Sequence, residues 1–116
     1  MNMRRIDGEQ VLMRIFIGEA DQWKRRPLYI ALLELFRSKQ LAGATVLKGV
    51  AGFGPDSILH TAGFLKLSAD LPLVIEVVDS QEHLEAVLAD VDRMMSGGLI
   101  TMEKVRVVRY QHGNAA

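Results

Sequence analysis

Apolar positions fall into two kinds of pattern along the chain: short runs rich in β-branched residues, and longer stripes at helical spacing. Residues 10–17 (QVLMRIFI) form the first run and stop at Gly18, which predicts a strand. Residues 19–26 are mostly polar and lead into Pro27, a residue suited to the first turn of a helix. Leu28, Leu32, Leu35 and Phe36, with Tyr29 and Leu33 beside them, then recur at helical spacing, and that helix should stop near Gln40 to Gly43. Residues 44–50 (ATVLKGV) predict a second strand, broken by Gly52, Gly54 and Pro55. Residues 71–78 (LPLVIEVV) predict a third, with Pro72 near its start, where a missing N–H is tolerated. Asp79 or Ser80 can cap a second helix whose apolar stripe is Leu84, Val87, Leu88, Val91, Met94 and Met95, ended by Gly97 and Gly98. Residues 99–110 (LITMEKVRVVRY) predict a fourth strand, followed by a polar tail.

The order β-α-β-β-α-β is that of the ferredoxin-like α+β sandwich, a four-stranded antiparallel sheet with two helices on one face. Side chains alternate across a strand, so parity assigns faces. Val11, Met13, Ile15, Ile17, Leu71, Leu73, Ile75, Val77, Val105 and Val107 form a uniformly apolar set that should meet the helices. The opposite set is Leu12, Arg14, Phe16, Val46, Lys48, Val50, Val74, Glu76, Val78, Arg106 and Val108. It is too apolar for solvent and too charged for an ordinary core, which points to association between copies of the chain.

Composition adds exclusions. With 116 residues, 49% hydrophobic and 24% charged, the chain has the make-up of one folded domain, residues 1–116, with an ordered core over about residues 10–110. Fourteen basic residues balance fourteen acidic ones, which removes the footprint of a nonspecific nucleic-acid binder, so no nucleic acid is expected as a partner. Without cysteine there is no disulfide or thiolate chemistry. No apolar run reaches the roughly 20 residues of a membrane span, and residues 1–10 (MNMRRIDGEQ) lack a signal-peptide core, so a cytoplasmic protein is expected.

Candidate chemistry concentrates between Gly52 and Asp70. Gly52 and Gly54 let a phosphate approach backbone amides, or they mark only a strand ending in a tight turn. A connection longer than roughly 12–15 residues is uncommon unless it carries function. The pair Gly97–Gly98 has the same two readings, ligand contact or helix C-cap. His60, with Asp56, Ser57 and Thr61 nearby, could be drawn as a small hydrolase site, but neighbours in sequence are not a triad. His83 falls on the polar side of a helix and His112 in the tail, so no dedicated metal site is expected. Lys24, Arg25 and Arg26, beside Trp23, could attract an anionic ligand, a membrane surface or RNA, or could be a solvated loop.

Three segments carry a family resemblance: residues 27–54 (PLYIALLELFRSKQLAGATVLKGVAGFG), 60–80 (HTAGFLKLSADLPLVIEVVDS) and 97–110 (GGLITMEKVRVVRY). Together they resemble the PII-like family known as domain of unknown function 190, over nearly the whole span from Val11 to Tyr110. The resemblance implies a homotrimer with inward-facing sheets, regulatory and not enzymatic. It also implies an adenine nucleotide bound between subunits, against the base of the long loop and the turn before the last strand. Gly52, Phe53 and Gly54 would stand at the loop base, and Gly97 and Gly98 in the turn. No cofactor is required, although magnesium held by the nucleotide and Asp56 is compatible with the pattern. The 52–70 loop, through Ser57, His60, Thr61 and Phe64, would contact a protein partner. Relatives found beside or fused to fluoride-channel-like proteins make a membrane transporter a candidate for it.

The chain also departs from the PII signalling proteins. Pro55 and Asp56 stand where those proteins place a glutamine that helps bind magnesium and 2-oxoglutarate, and the loop lacks their modified tyrosine. Residues 96–101 (SGGLIT) contain no phosphate-binding lysine. Arg106 and Arg109 would have to compensate, and they could share a pocket only if the last strand bends or bulges. The competing reading is a ligand-free trimeric adaptor whose loop binds protein directly.

Overall fold

The computed structural model describes residues 6–54, 59–61 and 70–111. In chain order the elements are β1 (Gly8–Gly18), β2 (Gln22–Trp23), β3 (Arg26–Pro27), α1 (Leu28–Ser38), β4 (Ala44–Lys48), β5 (Ala51–Gly52), β6 (His60–Thr61), β7 (Pro72–Asp79), α2 (Gln81–Met94) and β8 (Leu99–Val107). The main sheet runs β4-β7-β1-β8, with every neighbouring pair antiparallel. Both helices cover one face, giving the expected ferredoxin-like α+β sandwich.

The core forms because the two periodicities point at each other. From the sheet come Val11, Met13, Ile15, Ile17, Leu73, Ile75 and Val77; from α1 come Leu28, Ala31, Leu32 and Phe36, and from α2 Leu84, Val87, Val91 and Met94. Each large side chain among them contributes about 1.5–3 kcal/mol through burial. Ser80 is the N-cap of α2, its hydroxyl oxygen accepting the His83 N–H at 3.2 Å. Asp79 points into the core instead, fully buried, and its carboxylate accepts the N–H groups of Ala42 (2.8 Å) and Ser80 (2.7 Å). Helix α1 ends with Gln40 in the left-handed region (φ 58°), where Leu41 N–H returns to Phe36 and Gln40 N–H to Arg37.

Strand register corrects part of the parity reading. β1 and β8 pair without a break from Gly8↔Val107 to Phe16↔Leu99, so Val105 and Val107 share the open face with Leu12, Arg14 and Phe16. Arg106, opposite Glu9, lies on the helix-side surface. The apolar residues of β8 change parity along the strand: Ile100 and Met102 face the helix side, Val105 and Val107 the other. A single assignment for the whole strand therefore had to fail at one end. On β4, Ala44 pairs with Val77 and Val46 with Ile75, which turns Val46 and Lys48 to the helix side and Thr45 and Leu47 to the open face. β4 ends at Lys48 and β8 at Val107, so Val50 and Val108 lie outside the sheet.

Two short hairpins were not expected. In the polar stretch after β1, Gln22 pairs with Pro27 and Trp23 with Arg26, leaving Lys24 (φ 49°) and Arg25 (φ 66°) as a two-residue turn. Both take the positive φ of a type I′ turn, at a cost of roughly 1–2 kcal/mol per L-residue. In the second, Ala51 pairs with Thr61 and Gly52 with His60, so the long connection begins as a β-arm.

Candidate functional site

One end of the main sheet gathers the conformationally special positions, because β1 ends there at Gly18, β4 ends at Lys48, and β7 and β8 begin at Pro72 and Leu99. The base of the β-arm is clamped to this end. Gly49 N–H donates to the Pro72 carbonyl at 2.7 Å, and Lys48 Nζ lies 2.8 Å from Glu19 Oε2. Glu19 N–H donates to the Leu71 carbonyl at 2.8 Å, and the Asp70 carboxylate accepts the Ala20 N–H at 2.8 Å. A Cβ on Gly49 would stand 2.8 Å from Pro72 Cγ, so the approach itself demands glycine.

The Gly97–Gly98 turn leaves from the same end. Gly98 has φ +124°, and a Cβ there would meet the Phe16 carbonyl oxygen at 2.5 Å and Met95 Cε at 2.7 Å. Its requirement for glycine is therefore structural. Gly97 and Gly54 differ, since a Cβ on either would meet nothing within 4 Å. Their backbones are open to approach, the condition under which amide groups can receive an anion. On the arm, Phe53 is 71% exposed, as are Val50 (77%) and Leu59 (64%). Thr61 is exposed and pairs with Ala51, and His60 pairs with Gly52 through the backbone. Asp56, Ser57, Phe64 and His112 lie outside the described residues.

Arg106 and Arg109 stand apart from these glycines. Seven steps along the extended strand separate Leu99 from Arg106, about 23 Å at roughly 3.3 Å per step. Arg106 lines a shallow groove of about 310 Å³ with Gly8, Glu9, Lys104 and Val105. Arg109 lies beyond the strand and donates to Gln111 Oε1 at 2.9 Å. Within one chain these arginines cannot share a ligand with Gly97; only a neighbouring subunit could bring the two ends together. Among the described residues no group of three His, Asp or Glu side chains is gathered to hold a metal ion. The His83 ring, on the polar side of α2 as expected, lies 2.6 Å from the Ser80 hydroxyl through Nδ1.

The open sheet face carries a charged centre. Arg14 Nε donates to Glu76 Oε2 at 2.9 Å, and Nη1 to Glu103 Oε1 at 2.6 Å. Hydrogen bonds donated first to Glu76 and then to Glu103 hold the guanidinium above its ordinary pKa range. Around it lie Phe16, Val74, Val78, Val105 and Val107, half-buried, with Leu47 and Leu99 exposed. Glu103 escaped the sequence reading because the inverted parity of β8 put it on the helix side. Among the described residues no helix is long and apolar enough to cross a membrane.

Comparison with known proteins agrees with this architecture. Two UPF0166 proteins of Aquifex aeolicus are similar, one 34% identical over 97 residues (84% of this chain, 91% of the relative) and one 36% identical over 99 (85% and 97%). A UPF0166 protein of Methanocaldococcus jannaschii is 28% identical over 99 residues, 84% of this chain and 91% of that one. Among solved structures, CPII from Thiomonas intermedia K12, a nitrogen regulatory PII-like protein, matches in two forms. One is bound to ADP and bicarbonate (TM-score 0.56, 15% identity) and the other to ADP, AMP and bicarbonate (TM-score 0.58, 17% identity), each match covering 87% of this chain and 90% of that one. The family model for DUF190, described as Uncharacterized ACR, matches residues 10–107, and with these relatives it establishes that the chain belongs to the DUF190 family.

Proposed function

We propose that the chain is a PII-like regulatory protein that assembles as a homotrimer through its open sheet faces, binds an adenine nucleotide in clefts between subunits, and acts on a partner through the 52–70 segment. The observation that carries the reading is the departure of the β-arm base and the Gly97–Gly98 turn from one end of the sheet, with Gly54 and Gly97 open at the backbone. The ADP in structures of the same fold supports the ligand class. In this reading Arg106 and Arg109 come to the phosphates from the adjacent subunit, with Asp56 near any magnesium. The mechanism is a population shift: the nucleotide favours the arm conformation it contacts better, and no covalent step is needed.

The test is a thermal-shift series at one protein concentration with AMP, ADP, ATP and cyclic AMP, each with and without magnesium and bicarbonate. Binding to the folded state stabilises by RT ln(1 + [L]/Kd), about 2.7 kcal/mol at roughly 100 times Kd. A selective, saturable rise is expected for one nucleotide. Flat responses overturn the sensor reading in favour of a ligand-free adaptor, a reading favoured by the exposed Val50, Phe53 and Leu59 of the arm. Light scattering reads the trimer independently.

A further inference from the structure

The β2–β3 hairpin is not among the elements of the nucleotide site proposed above. Its turn places Lys24 and Arg25 in the left-handed region at φ 49° and 66°, positions where Asn-Gly or Asp-Gly is the unstrained choice. The third cation, Arg26, is tied to Glu34. Lys24 Nζ stands 5.2 Å from the centroid of the Trp23 ring, which itself packs against the core. Among the described residues no carboxylate pairs with Lys24 or Arg25, and both are exposed. The cross-strand pairing and the Leu28 N–H to Asp21 carbonyl bond at 2.8 Å hold the tip in place. Backbone strain of this kind clusters at functional sites, and here it is retained at a fixed cationic tip.

We propose that the Lys24–Arg25 tip docks the protein on an anionic phospholipid bilayer. A two-residue turn protrudes and encloses nothing, whereas small-anion sites are concave, so the fitting occupant is an extended anionic surface. The hairpin also leaves the same end of the sheet as Val50 and Phe53, 77% and 71% exposed, and an end that carries both basic and exposed apolar side chains matches a bilayer interface. Avidity rests on the trimer of the preceding reading, since a three-fold axis puts three identical tips in one plane parallel to a membrane.

The experiment is co-sedimentation of the full chain with phosphatidylcholine vesicles, with and without phosphatidylserine, at low and high salt, for the native sequence, K24Q/R25Q and K24N/R25G. Binding only to phosphatidylserine vesicles is expected, weakened by salt, and reduced at least about tenfold in both variants at roughly 1 kcal/mol per cation. No binding by the native trimer at low salt, equal binding to both vesicle types, or variants that bind like the native chain each overturns the proposal. Displacement by RNA at lower concentration than by phosphatidylserine vesicles also overturns it, and makes nucleic acid the partner. Light scattering on the same samples separates the two readings. A monomer that still distinguishes the vesicles overturns assembly alone, and an intact trimer that ignores both overturns docking alone.

Discussion

Asp79 and Tyr110 meet at one residue: the Asp79 carboxylate accepts the Ala42 N–H at 2.8 Å, and the Tyr110 hydroxyl donates to the Ala42 carbonyl at 2.9 Å. The segment after the edge strand β8 is thereby tied to the loop entering β4, the opposite edge. Because Asp79 is fully buried and also holds the Ser80 N–H, Asp79→Ala strands two donors and should cost about 3 kcal/mol. Tyr110→Phe removes one half-exposed hydrogen bond and should cost about 1 kcal/mol. Urea denaturation measures both, and equal losses would show that Asp79 does not anchor this junction.

The two glycines before β8 should separate structure from binding. Gly98→Ala puts a side chain at φ +124° and against the Phe16 carbonyl, and should destabilise by about 2 kcal/mol or more. Gly97→Ala meets open space and should leave the melting temperature within a few degrees of the native value. If the amide of residue 97 receives a phosphate between subunits, the added methyl should weaken nucleotide binding while leaving the fold intact. Calorimetric titration of a stable G97A trimer, showing native affinity, would remove Gly97 from the site.

On the open face, Arg14 balances Glu76 but leaves Glu103 as a second negative charge amid apolar neighbours. Burying that face between subunits strips solvent from an uneven charge set, an expensive arrangement. Glu103→Gln should therefore strengthen assembly, lowering the dissociation constant about tenfold, whereas Arg14→Ala leaves two carboxylates adjacent and should weaken it by more. Sedimentation velocity over a dilution series reads both. If neither substitution moves the dissociation constant, copies do not associate through this face.

How far the sequence could be read depended on whether local pattern and long-range pairing agreed. β1, β7 and both helices were legible because one periodicity holds along each: Met13 to Ile17 and Leu73 to Val77 alternate cleanly, and Leu84, Val87 and Val91 keep one helix face. β8 misled because its apolar residues switch parity between Met102 and Val105, and only pairing with β1 reveals which end faces the helices. The Lys24–Arg25 turn was hidden because neither residue carries the usual Asn or Gly signal. The glycine pairs stood out, but their division of labour did not, since it depends on how closely Phe16 and Pro72 approach. The distance of Arg106 from those glycines follows from the length of β8 and was available from the start.

The β2–β3 turn gives a stability prediction whose sign opposes that of most double substitutions. Lys24→Asn with Arg25→Gly supplies residues that accept positive φ at both turn positions, removing strain of roughly 1–2 kcal/mol per residue. Against that stand the entropy that glycine adds to the unfolded chain and the lost Lys24 contact with the Trp23 ring, together about 1–2 kcal/mol. A net gain of about 1 kcal/mol is expected, which for a chain of this size raises the melting temperature by about 4 °C. Lys24→Gln with Arg25→Gln keeps the strain, loses the ring contact, and should lower it slightly. Scanning calorimetry of the two variants beside the native chain decides the matter. If K24N/R25G melts below K24Q/R25Q, the turn is not strained in the way its backbone angles imply, and its cations need no functional explanation.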